Sequence, residues 1–206
     1  MLSDVTQIDV ERESPDPDEV DQRVVLEGVT WEDYERLLEL RGEKPVPRMT
    51  YLEGVLELMT TSKEHEKQKK KLARLVEQWA VERGILFEGF GNYTIKERAV
   101  KRGLEPDECY VVGAVDRHRP DIAFEVVWTS GGIAKLEVYR LLGVREVWFW
   151  KRGALTFHAL RETTYEAVDR SEVLPDLDPE LIARCMRAPT QTAAVTILRD
   201  EMRARE

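Results

Sequence analysis

No stretch of the 206-residue chain approaches the roughly 18 consecutive apolar residues that a membrane-spanning helix needs, so the sequence predicts no span. Cysteine is nearly missing. Cys109 and Cys185 lie far apart without C-x-x-C spacing, which excludes a zinc ribbon and fits a reducing cytoplasm, with one long-range disulfide left open. There is no basic-then-apolar start, and this argues against a secretory signal. Nor is there a positive charge excess: the net charge is −9, the wrong sign for a nucleic-acid partner. Internal repeats are missing too, and low complexity is confined to the leader.

The location of the negative charge changes its meaning. Residues 1–21 hold eight acids (Asp4, Asp9, Glu11, Glu13, Asp16, Asp18, Glu19, Asp21) against Arg12, a net of −7 that leaves −2 for residues 22–206. Together with Pro15 and Pro17 this composition predicts an acidic disordered tail over residues 1–23. Residues 24–206 are nearly neutral, so charge neither supports nor forbids DNA. The 42% hydrophobic content of the full chain suffices for one packed α/β (α+β) domain over these residues.

Val24-Val25-Leu26 is a short apolar stretch, and Thr30 is placed to cap a helix through Trp31, Tyr34, Leu37 and Leu38, closed by Pro45 and Pro47. Met49 to Met59 predicts a hairpin turning at Glu53-Gly54. Thr61 and Glu64 then make a capping-box pattern before a long helix with the stripe Leu72, Leu75, Val76, Trp79. Extended backward, that stripe lands on His65, Gln68 and Lys69, so the buried-looking face turns polar in its first turns and marks a candidate site. Residues 85–95 predict one strand. Cys109–Val112 and Ile122–Trp128 predict two more, bridged by a loop with Asp116, Arg117 and His118. Ser130-Gly-Gly132 opens a helix from about Ile133 to Leu142, ended by Gly143. A second hairpin is expected around Arg152-Gly153, followed by two C-terminal helices, one begun by Asp178-Pro179.

Glu125 interrupts an otherwise apolar strand, and a buried carboxylate is costly unless it is paired or bound to a metal. Asp121 shares its strand face but sits about 13 Å away, too far to share an ion comfortably. If the two strands form a hairpin centred near residues 116–117, paired positions sum to about 233, which sets Asp107 opposite residue 126 and within reach of Glu125. Two such carboxylates suit Mg²⁺ or Mn²⁺, which keep waters and bind substrate phosphate. Lys135, in the first turn of the following helix, is placed to orient a water and stabilise negative charge.

These residues resemble a known family. Asp107, seventeen intervening residues, Glu125-Val126-Val127 and then Lys135 are similar to a PD-(D/E)XK nuclease whose lysine has moved into the next helix. The closer resemblance is to the bacterial restriction endonuclease branch, with its type II-like fold. It rests on Met49–Met59, Ser62-Lys-Glu-His65, Arg102–Cys109, Arg119–Val126, Lys135-Leu-Glu-Val-Tyr139 and Leu142–Trp148. Of five Pro-Asp dipeptides, only Pro106-Asp107 has the right separation from Glu125. The resemblance implies a central mixed sheet flanked by helices, here with an added N-terminal helix and hairpin. It also implies a metal held by Asp107 and Glu125, joined by a first-helix residue such as Glu64, His65 or Glu66. Val127 stands where the commonest motif has its lysine, which puts the strength of any activity in question.

Structural readings stand beside these. Asp107 and Glu125 could be a purely structural pair, Lys135 a solvated helix residue, His65 a satisfied core histidine, and Asp121 the first residue of its strand, reaching at most the site's edge. The cluster Lys63, Lys67, Lys69, Lys70, Lys71 and Arg74 would follow a phosphate backbone or form a solvated face with Glu66–Lys70 pairing. His118 and His158 read as loop and strand residues. Trp148 and Trp150 read as core or as the apolar edge of a homodimer. The functional expectation is a cytoplasmic Mg²⁺-dependent endonuclease acting on DNA. Its rival is a nuclease-fold protein that binds nucleic acid or protein without cutting.

Overall fold

Two tight turns organise the chain, each with positive φ at both central residues, the geometry that matches the twist of paired strands. Glu53 and Gly54 (φ 47° and 90°) join β2 (Arg48–Leu52) to β3 (Val55–Thr60). Arg152 and Gly153 (φ 52° and 79°) join β9 (Glu146–Lys151) to β10 (Ala154–Leu160). Both hairpins stand where the sequence predicts them. The structure is a computed structural model that describes residues 20–113, 119–127 and 134–204.

The first hairpin is the centre of an antiparallel five-stranded sheet. β1 (Gln22–Glu27) pairs with β3, while β6 (Arg102–Leu104) and then β5 (Ile95–Glu97) extend the β2 side. Helix α1 (Trp31–Arg41) is capped by Thr30, whose side chain accepts from the Asp33 N–H, and it seats Trp31 and Tyr34 against Met49, Tyr51 and Leu56. Gly103 permits this contact, because a Cβ there would lie 2.3 Å from the Tyr34 hydroxyl oxygen.

The second sheet has six strands in the order β11-β10-β9-β8-β7-β4, adding β4 (Phe87–Gly89), β7 (Glu108–Val112), β8 (Ile122–Val127) and β11 (Tyr165–Val168). Only β8 and β9 run parallel, so the sheet is mixed. A parallel pair needs a crossover, and helix α3 (Lys135–Leu142), ended by Gly143 at φ 71°, lies within it. Alternation along β8 then assigns the faces. Ile122, Phe124 and Val126 pack with Leu72, Leu75, Val76 and Trp79 of α2 (Lys63–Glu82) and with α4 (Pro179–Met186) and α5 (Gln191–Arg203). Ala123 packs with Val138, Tyr139 and Leu142 of α3 on the other face. Glu125 has the parity of Ala123. The result is an α+β protein whose central mixed sheet is flanked by helices.

The structure departs from the sequence reading in several places. Residues 85–95 yield two short strands, β4 and β5, in different sheets rather than one. Like β6, these are three-residue strands, too short to carry a readable alternation. Helix α2 is capped by Ser62, which accepts from the His65 N–H at 3.2 Å, one residue later than the Thr61/Glu64 pattern. Glu64 instead accepts from Gln68 and Lys67. Trp148 is fully buried, its indole N–H donating to Glu146 at 2.8 Å, and Trp150 is 6% exposed. Both belong to the core, so an apolar dimer edge at Trp148 is excluded. Strand β1 begins at Gln22. Residues 1–19, the loop residues Asp116 to His118, Trp128 and the helix opening at Ser130-Gly-Gly132 and Ile133 lie outside the described residues.

Candidate active site

Glu125 is 2% exposed on the α3 face of β8. Its Oε2 accepts from Lys135 Nζ at 2.5 Å and its Oε1 from the Tyr139 hydroxyl at 2.6 Å. Lys135 and Tyr139 stand four residues apart, on one side of α3, so a single helix face supplies both donors. Burial, and next the charge of Glu125, pushes the Tyr139 hydroxyl well above its ordinary range and keeps it a donor. Glu125 and Lys135 line a hollow of about 280 Å³ together with Glu57 of β3, Arg23 of β1, Met59 and Phe149.

Asp107 sits one residue before β7. The last ladder pair is Glu108 with Phe124, so the next step sets Asp107 opposite Glu125, one position from the expected residue 126. Its Oδ2 accepts from the Val126 N–H at 2.6 Å. Its Oδ1 accepts from His65 Nε2 at 2.9 Å and from the Arg48 guanidinium. His65 is buried at the start of α2, and its Nδ1 lies 3.0 Å from Asp21. With a carboxylate at each ring nitrogen, only the doubly protonated imidazole can donate to both. Burial works to raise the Asp21 carboxyl, but hydrogen bonds from His65 and from the Ser62 N–H outweigh it and hold it at about 2.

Arg48 extends this network to Glu66 at 3.0 Å, and Glu66 also accepts from Thr61 and from Lys69, the latter at 2.6 Å. Burial opposes ionisation of Glu66. The Lys69 and Thr61 hydrogen bonds and the nearby positive charges outweigh it and lower the carboxyl below its ordinary range. The lysine-rich face of α2 is therefore divided. Lys69 is the lysine that pairs with Glu66, in place of the expected Lys70, and Lys67 pairs with Glu64.

The structure thus brings His65 directly to Asp107, Glu66 to it through Arg48, and Lys135 to Glu125. Glu64 does not join this network. Asp121 stands at the start of β8, where its carboxylate accepts from the Val112 N–H and from Arg145. Four residues at the site escape the sequence reading: Asp21, Arg48, Glu57 and Tyr139. Tyr139 carries a signal, the four-residue spacing from Lys135. Glu57 carries another, being an acid between Leu56 and Leu58 as Glu125 lies between Phe124 and Val126. Arg48 and Asp21 carry none, since their partners are 59 and 44 residues away. Among the described residues, no three His, Cys, Asp or Glu side chains gather closely enough to hold a metal by themselves.

Residues 31–188 match the Uma2 family, described as "Putative restriction endonuclease". The chain belongs to that family. The Uma2 match takes in Arg48, Glu57, His65, Asp107, Glu125, Lys135 and Tyr139, and leaves Asp21 outside it. The restriction-endonuclease-like fold that the PD-(D/E)XK resemblance implies is the mixed sheet described above. A crystal structure titled as a putative nuclease of the DUF820 group, from Anabaena variabilis, aligns with this Uma2 chain at a TM-score of 0.47 and 13% identity, covering 82% of this chain and 99% of that one. No curated protein matches. Among the described residues, no helix is long and apolar enough to cross a membrane.

Proposed function

We propose that this Uma2 protein is a divalent-metal-dependent endonuclease that hydrolyses DNA phosphodiester bonds. The carrying observation is Glu125, a buried carboxylate at the wall of a hollow, with a lysine 2.5 Å away and a second carboxylate, Asp107, one ladder step across on the neighbouring strand. An ionised carboxylate has about four lone-pair positions. Asp107 spends three of them on Val126, His65 and Arg48, and Glu125 spends two on Lys135 and Tyr139. Acceptor capacity remains on both, and it fits Mg²⁺ or Mn²⁺, ions that take one or two protein carboxylates and fill their other positions from water and phosphate. When bound, such an ion supplies an acidified water and offsets charge on the phosphate.

The chain's own groups divide the remaining work. Tyr139 and Lys135 fix the two oxygens of Glu125, while the Val126 N–H and His65 fix Asp107. Lys135 carries three N–H donors, so it can hold Glu125 and still donate to a phosphate oxygen or orient the attacking water. Hydrolysis requires that water's oxygen to bond to phosphorus while the bond to the leaving sugar oxygen breaks and that oxygen takes up a proton. The two free, buried cysteines suit a reducing cytoplasm. A homodimer would set two such sites against two strands.

A second reading, binding without cutting, is favoured by one contact. The buried Arg48 guanidinium pairs with Asp107 and already supplies that carboxylate with positive charge. Supercoiled-plasmid nicking separates the two readings. The parent should cut with Mg²⁺ or Mn²⁺, and Glu125→Ala or excess chelator should abolish cutting while the circular dichroism spectrum is kept. A folded parent that never nicks the plasmid sinks the nuclease reading and leaves the binding one.

A further inference from the structure

Beside the hollow of Glu125 lies a second one of about 380 Å³, and Val127, two residues beyond Glu125, lines both. Its charged lining is entirely positive: Lys67, Lys71, Arg152 and Arg187, over an apolar floor that includes Val127 and Trp150. The four cations arrive from separate segments, namely α2, the β9–β10 turn and the end of α4. Arg152 and Arg187 are exposed and make no side-chain hydrogen bond or ion pair with another described residue. Lys71 is 4% exposed and makes no direct ion pair among the described residues, though the charge of Glu64 reaches it. Its ammonium donates to the Met186 carbonyl at 3.1 Å and the Ala188 carbonyl at 2.7 Å, so backbone dipoles hold it in place. Burial, and next the like charge of Lys67, lowers its affinity for the proton. Among the described residues, Lys67 alone of the four makes a direct ion pair, with Glu64 at 3.2 Å. In a chain of net charge −9, four converging cations with no acid in the lining make a site for an anion.

We propose that this cavity takes a backbone phosphate of the nucleic-acid strand, next along the chain from the phosphate presented to Glu125 and Lys135, with the sugar against the apolar floor. The inference rests on the nuclease reading for the identity of the neighbouring site, but it concerns binding alone. In this arrangement the strand would pass from the Glu125 hollow round Val127, at the end of β8, to Arg152 and Arg187 on the α2 and α4 side. Unpaired among the described residues, their guanidiniums give up no partner there when they engage phosphate.

The test is anisotropy of a short labelled DNA duplex across a KCl series, in chelator so that nothing is cut. Each phosphate contact contributes about 0.9 to the slope of log K against log salt. Arg152→Gln/Arg187→Gln should therefore lower the slope by about 1–2 and weaken binding on the order of tenfold. The matched pair Arg36→Gln/Arg83→Gln removes the same charge from α1 and from the far end of α2, and it should leave the slope unchanged. An unchanged slope in the cavity variant, an equal loss in the matched pair, or a parent that does not bind DNA overturns the proposal. So does inorganic phosphate that binds the parent and not the cavity variant while duplex binding stays the same, since the occupant would then be free phosphate. Cavity-dependent binding by a parent that never nicks plasmid would fail the nuclease reading and leave this one standing.

Discussion

Replacing Asp21 by Asn removes one charge from the buried chain Asp21–His65–Asp107 while keeping an acceptor for the Ser62 N–H. The Asp21 carboxyl falls from its ordinary 3.8 to about 2 in the folded protein, so its ionised form stabilises the fold. Because the folded value is the lower one, the stabilisation is complete above the unfolded value and is lost as pH falls through the folded value. A difference of nearly two pH units corresponds to about 2 kcal/mol at pH 5, shrinking to about 1 kcal/mol at pH 3. Urea unfolding of parent and Asp21→Asn at pH 5, 4 and 3, with linear extrapolation, measures it in a range below that in which free imidazoles titrate. The parent should be the more stable at pH 5 and the gap should close with acid. A gap that stays constant across the series would mean that Asp21 acts by packing rather than charge. No gap at pH 5 would remove it from the folded network altogether.

Two smaller perturbations probe the other side of the site and the thiols. Tyr139→Phe deletes the hydroxyl that donates to Glu125 at 2.6 Å and leaves a buried charged acceptor one donor short; it should cost about 1.5–3 kcal/mol by denaturant unfolding, and an unchanged midpoint would refute the bond. Burial, and next the charge of Glu108, pushes the Cys109 thiol up to about 12, and burial also raises Cys185, so a thiol reagent at pH 8 should label neither until the protein is denatured; fast labelling of either in the native protein contradicts their placement.

The part of the site carried by β8 and α3 was legible because its periodicities are local. An acid between Phe124 and Val126 announces itself in an apolar strand, parity gives its face, and Lys135 sits in the first turn of the next helix. Asp107 was legible to within one residue, since the pairing register depends on a loop whose length, but not shape, can be read. The register is set where Asp107 donates its N–H to the Phe124 carbonyl. Asp21 was hidden by its neighbours, being one of eight acids in a leader whose composition reads as tail. Burial alone would not have picked out the site either. Glu146 is as buried as Glu125, yet its oxygens accept from Trp148, Ser171 and the N–H groups of Glu172 and Val173, neutral donors that satisfy it internally. What distinguishes Glu125 is a lysine beside it and open space before it, and neither property belongs to a sequence window.

The contacts around Asp107 join segments separated by 42 residues at His65 and 59 at Arg48, with Asp21 a further 44 away from His65. Links of that span close late, because each must first overcome the entropy of a long loop. A chain emerging from the ribosome presents Asp21, Arg48 and His65 before Asp107 is there to join them. The carboxylate near residue 107 gains its partners only once strands, helices and the stretch before β1 have all found their places. The activity proposed for this site would accordingly serve, during refolding, as a clock for the final step of assembly, trailing the return of helical signal rather than accompanying it.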